Sequence, residues 1–127
     1  LYPFFKYQPK FLFEYGQCLS KTGQYEEGIR ILTEGTRLSA DPMFYNIMGK
    51  DAEALKHFGQ AEACFKQASY MVPHRLYPLY LLAKMYFESG QPEKGRDMAR
   101  QVIQKAPKVM SDAVKEMKAE LKERLQP

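Results

Sequence analysis

Apolar residues recur three and four positions apart through most of the chain, the spacing that gives a helix one buried face. Leu79, Leu82 and Tyr86 mark one such face, Met98 and Val102 the next. Val114, Met117, Leu121 and Leu125 form a narrow stripe near the C-terminal end, and no segment alternates as a convincing strand would. The densest apolar stretch, SYMVPHRLYPLYLLAKMY at 69–86, is broken by Pro73 and Pro78 and carries His74, Arg75 and Lys84. It therefore lacks the roughly 18–20 uninterrupted apolar residues of a membrane span.

The same stretch holds the joint of a repeat. Pro73 has a counterpart at Pro107, 34 residues on. Ala68, Phe65 and Ala61 precede Pro73 at the intervals by which Val102, Ala99 and Gly95 precede Pro107. Further back, Tyr45, Met48 and Gly49 match Leu79, Leu82 and Ala83, so 42–75 and 76–109 superpose without a gap. A weaker unit fits at 9–41, with Leu12, Tyr15, Gly16, Gly28, Leu32 and Gly35, and with Ala40 in place of the closing proline.

Each unit reads as two helices of roughly 12–14 residues around a turn: KTGQY, HFGQ and ESGQP in succession. Pro73 ends a second helix, and Pro78 sits in the first turn of the next, where its missing N–H is not needed. Glycine within a helix costs about 1 kcal/mol against alanine. Small residues nevertheless recur at Gly16, Gly49 and Ala83 on the first helices and at Gly28, Ala61 and Gly95 on the second. Close helix approach is the expected reason.

This pattern resembles the tetratricopeptide repeat, a 34-residue helix–turn–helix, over about 80% of the chain. The second unit carries the likeness best, with Tyr45, Gly49, Ala61, Phe65, Ala68 and Pro73. The resemblance implies an all-α fold, a right-handed superhelix of three helix pairs plus a C-terminal capping helix, as one domain over 1–127. Residues 1–8, LYPFFKYQ, are expected to be the remnant of a preceding segment, repeats to fill 9–41, 42–75 and 76–109, and a cap to fill 110–127. Ser111 is a good N-cap with Asp112 behind it, and the charged remainder of that helix would face water. The chain starts at Leu1, so a piece of a longer protein is expected; Tyr2, Phe4, Phe5 and Tyr7 either fold over the first unit or form an exposed apolar patch through which the N-terminal end self-associates.

A net charge of +4 admits an acidic partner without demanding one. The lysines and the one arginine in 111–126 interleave with Glu116, Glu120 and Glu123, which argues against nucleic acid. Cys18 and Cys64 stand in no paired spacing and are expected to be reduced and partly buried; His57 and His74 are isolated and expected to be solvated. No phosphate loop or nucleophile–base signature stands out, so the expectations are no enzyme, no cofactor and no metal for this segment.

By the resemblance, the first helix of each unit lines a concave groove that takes a protein or peptide. The lining places fall on Lys10, Phe13, Gln17 and Lys21; on Met43, Asn46, Lys50 and Glu53; and on Tyr77, Tyr80, Lys84 and Phe87. Lys50 and Lys84 are equivalent places and would form a ladder with Gln17, suited to a ligand with apolar anchors and an acidic group. The carboxylate clamp of chaperone-adaptor relatives is not expected, because its places carry Phe13, Gln17, Ile47, Tyr77 and Leu81.

A narrower resemblance joins 68–86 and 107–121 to the C-terminal tail of bacterial O-antigen ligase-like membrane proteins. It implies a soluble appendage, not itself inserted in the membrane, of an inner-membrane protein of polysaccharide assembly. The alternatives are a free-standing peptide-binding adaptor and, more remotely, an RNA-binding helical repeat, for which no series of paired polar residues is present.

Overall fold

Turn-forming residues and prolines divide the chain into helices. A computed structural model describes residues 8–105 and 111–126, so most of the N-terminal remnant, whether folded over the first unit or exposed as an apolar patch, and Pro107 lie outside the described residues. Within them run α1 (Pro9–Lys21), α2 (Tyr25–Thr36), α3 (Met43–Ala54), α4 (Phe58–Met71), α5 (Tyr77–Glu88), α6 (Pro92–Gln104) and α7 (Asp112–Leu125). Each packs chiefly on its neighbours in sequence, giving an all-α helical repeat with α7 against α6 and α5. No helix among the described residues is long and apolar enough to cross a membrane.

The prolines act as their chemistry requires. α4 stops at Met71, two residues before Pro73, and Pro78 occupies the first turn of α5. Ser111 caps α7 by accepting a hydrogen bond from the Val114 amide at 3.2 Å.

The turns inside the pairs share one device. Gly23 and Gly90 adopt left-handed φ values of 81° and 78°, and the following amides reach back to close the helix ends, Gln24 to Leu19 and Gln91 to Tyr86. In the middle pair the sequence points to HFGQ as the turn, yet Gly59 lies inside α4. Lys56 takes the left-handed position instead, at φ 61°, with His57 N–H donating to Ala52 at 2.8 Å. A side-chain-bearing residue thus stands where the other two pairs use glycine.

Packing explains the recurring small residues. A Cβ on Gly16 would fall 2.5 Å from Leu32, and one on Gly49 would fall within the Phe65 ring contact distance at 2.4 Å. Ala83 and Ala99 fill the corresponding places in the third pair, both fully buried. Between pairs the device recurs, with Gly35 lying under Phe44. Phe65, Ala52, Ala61, Leu82, Met85 and Tyr86 continue the core from α3 across α4 to α5.

Two outcomes follow. Gly49→Ala should lower stability by ~1–3 kcal/mol through overpacking against Phe65, despite alanine's better helix propensity. Urea denaturation that shows no loss would contradict this contact. Lys56→Gly should raise stability by ~1 kcal/mol, because an L side chain in the left-handed region costs about 1–2 kcal/mol. A lower midpoint for that variant would mean the Lys56 side chain contributes more than its backbone strain removes.

Candidate functional site

The first helices α1, α3 and α5 present two neighbouring hollows. One, about 300 Å³, is lined by Gln17, Ser20, Lys21, Tyr25, Ile47, Lys50 and Asp51. The other, about 340 Å³, is lined by Lys50, Glu53, Tyr77, Tyr80, Leu81, Lys84 and Glu88. Lys50 borders both, so they adjoin along one face.

Seven of the twelve groove residues read from the sequence are brought together here: Gln17, Lys21, Lys50, Glu53, Tyr77, Tyr80 and Lys84. Lys10 is exposed farther back on α1. The remaining four do other work. Phe13 meets Phe44 edge-on at 5.2 Å, closing the joint between the first two pairs. Asn46 is 2% exposed and donates from Nδ2 to the half-buried Met43 sulfur at 3.4 Å, so it is a correction to the expected lining. Its Oδ1 is buried without a hydrogen-bond partner among the described residues. Phe87 is also corrected: it packs over Gly95 and lies beneath the Arg124 guanidinium of α7, 5.4 Å from the ring centre. The expected lysine ladder is uneven as well. Lys50 is exposed, whereas Lys84 forms an ion pair with Glu120 of α7 at 3.2 Å.

Four further residues of these hollows, Ser20, Tyr25, Asp51 and Glu88, escape the sequence pattern. Asp51 is 1% exposed, on the floor of the first hollow. Ser20 Oγ lies 2.8 Å from Asp51 Oδ2 and 3.0 Å from the Gly16 carbonyl. A hydroxyl carries one proton, so if Ser20 donates to Gly16, the second contact requires the proton to come from Asp51. Burial, only partly offset by Ser20 and Lys50, pushes the Asp51 carboxyl up to about 6, in agreement with that arrangement. Tyr25 lines the first hollow, and Glu88 lies beside Glu53 in the second. Burial and the Glu88 carboxyl push Glu53 up to about 7, against the pull of Lys84 and Lys50. The one available signal was Asp51 itself, an acid three and four positions past the buried Met48 and Ile47.

Cys64 is buried, and burial beside Asp51 pushes its thiol up to about 11; Cys18 is exposed, contrary to the expectation that both are partly covered. His57 and His74 are exposed. Among the described residues no group of three or more His, Cys, Asp or Glu is placed to hold a metal ion.

Raised carboxyl pKa values mean that the folded state binds protons more tightly than the unfolded state. Their stabilisation is complete below the ordinary values of 3.8 and 4.5 and is lost as pH rises through about 6 for Asp51 and about 7 for Glu53. The melting temperature should therefore be higher near pH 5 than near pH 8. Asp51→Asn, whose amide can donate to Ser20 permanently, should raise it at pH 8 and flatten the lower part of the profile. A wild-type melting temperature that climbs from pH 5 to pH 8 would contradict the burial of these acids.

Models of the tetratricopeptide repeat match residues 9–42 and 79–108, together about half of the chain. No curated protein matches it. Among solved structures, the CopN–Scc3 complex superposes with a TM-score of 0.81 at 13% identity, covering 93% of this chain and 69% of that one. PcrH from Pseudomonas aeruginosa gives 0.80 at 14%, over 92% and 88% of the two chains. In complex with the chaperone binding region of PopB, PcrH gives 0.71 at 14%, over 92% and 94%. The first TPR of Spaghetti (RPAP3), bound to the HSP90 peptide SRMEEVD, gives 0.72 at 18%, over 93% of each chain. At these identities the likeness speaks to the fold. Fold, repeat spacing and matched segments agree, and the chain belongs to the tetratricopeptide-repeat family.

Proposed function

We propose that this chain is a protein-interaction module that takes an extended peptide along α1, α3 and α5. The observation that carries the reading is the pair of adjoining hollows that share Lys50. The first is walled by Ile47, Tyr25 and the carbon stems of Gln17, Lys21 and Lys50, with room for one apolar side chain. Lys21 and Lys50 stand exposed at its rim and form no salt bridge among the described residues. An apolar anchor flanked by an acidic residue matches that chemistry.

Two structural neighbours support a peptide as the ligand class. RPAP3 holds the HSP90 peptide SRMEEVD, and PcrH holds the chaperone binding region of PopB. The clamp places that carry Ile47 and Leu81 here are both buried and apolar, so an acid would be met at Lys21 and Lys50 instead. The narrower reading, an appendage of a membrane protein of polysaccharide assembly, rests on the resemblance at 68–86 and 107–121 alone. The peptide-binding reading does not depend on it.

Fluorescein-labelled SRMEEVD is a suitable probe, having an apolar methionine followed by two glutamates. Titrated at low salt, it should bind the wild type. Lys21→Glu with Lys50→Glu should weaken it at least about tenfold, equivalent to ~1.4 kcal/mol, with helical content unchanged. Binding should also fall as salt screens the charges. Equal affinity of the double variant and the wild type would remove the groove assignment.

A further inference from the structure

The polar face of α7 does more than face water. Glu120 reaches back to α5, where Tyr80 Oη donates to its carboxylate, 3.0 Å from each oxygen. Lys84 Nζ lies 3.2 Å from Glu120 Oε2 and donates to Tyr80 Oη at 3.1 Å. Tyr80 thus accepts from the ammonium and passes its own proton toward the carboxylate, a satisfied three-membered relay. Burial pulls the Lys84 ammonium down, but its bonds to Tyr80 and Glu120 overcome this and hold it above the ordinary lysine value. One turn on, Arg124 covers Phe87. Three of the four groove residues expected on α5 are thereby engaged by α7.

We propose that Tyr80 and Lys84 form a carboxylate-binding site held in cis by Glu120, so that α7 is an internal competitor for an acidic side chain of the ligand. The inference rests on the peptide-binding reading above and gives that groove its second acid contact. Tyr80 and Lys84 line the second hollow, and no α7 residue does, so an incoming carboxylate can approach the same pair from the groove. Exchange needs only a side-chain swing. Leu121 is fully buried among Leu76, Ala83, Ala99 and Val102, and Val114, Met117 and Leu125 pack against the same cluster, which holds α7 in place without Glu120. The Glu120 side chain is 40% exposed and can turn into water. Glu53 and Glu88 line the same hollow, disfavour another negative charge there and keep the resting state on the Glu120 side.

The test compares the wild type, Glu120→Gln and Glu120→Gln/Lys84→Gln by anisotropy of fluorescein-labelled SRMEEVD at low salt. Acylation of Lys84 and amide exchange over α7 are followed by mass spectrometry. Glu120→Gln should bind about two- to fivefold tighter, the range an exposed ion pair supports. Its Lys84 should acylate faster while α7 stays protected, and the double variant should lose the gain. Equal affinity of wild type and Glu120→Gln would overturn the competition and leave the groove reading standing. A gain that survives Lys84→Gln would mark a general charge effect and overturn it too. Failure of both wild type and Glu120→Gln to bind would remove the acidic-peptide reading itself, and the competition with it.

Discussion

The structure depends on how closely paired helices can approach. At Gly16 and Gly49 a missing Cβ lets Leu32 and Phe65 press against the backbone of the partner helix, and neither side chain has exposed surface. A core this dense tolerates neither an added methyl nor a void. The third pair meets the same constraint with two small residues, Ala83 and Ala99, both fully buried in one cluster with Leu76, Val102 and Leu121. Because each pair closes at the same place, successive pairs stack in register, and their first helices come to share one face. The two adjoining hollows lie along that shared face.

Legibility follows from the same physics. The helix pairs could be read because periodicity, turn residues and small positions repeat, and each repetition constrains the others. The turn of the middle pair could not, since Lys56 is an unusual residue for a left-handed position and Gly59 drew the turn three residues too late. The site was legible only in part. Gln17, Lys50 and Lys84 are equivalent positions in the repeat, and the structure sets them on one face. Asn46 has the right helical phase, but the neighbouring helices enclose it. Phase gives a direction from the helix axis and says nothing of what stands there.

The engagement of Lys84 shows the same limit from the other side. Glu116, Glu120 and Glu123 look alike in sequence, as solvated charges between basic residues. Which of them meets α5 depends on how α7 crosses it, and that crossing is set by Leu121 packing among Leu76, Ala83, Ala99 and Val102. An apolar stripe thus decides the partner of a charge on its flank.

This division also explains where the structure places its costs. Exposed lysines at Lys21 and Lys50 are inexpensive to maintain in water, whereas Asp51 and Glu53 lose hydration on folding and hold their protons into the range of neutral pH. A sequence selected for stability alone would fill the Asp51 position with an apolar residue, as the surrounding Ile47, Met48 and Ala52 already do. A methionine or leucine there would fill the floor of the first hollow and remove the partner of Ser20. An acid kept largely protonated below about pH 6 gives that floor a hydrogen-bonding group without a permanent buried charge. The hollows between the first helices therefore carry two acids that fold at a cost in hydration, while glycine and alanine contacts elsewhere on the same helices hold the pairs together.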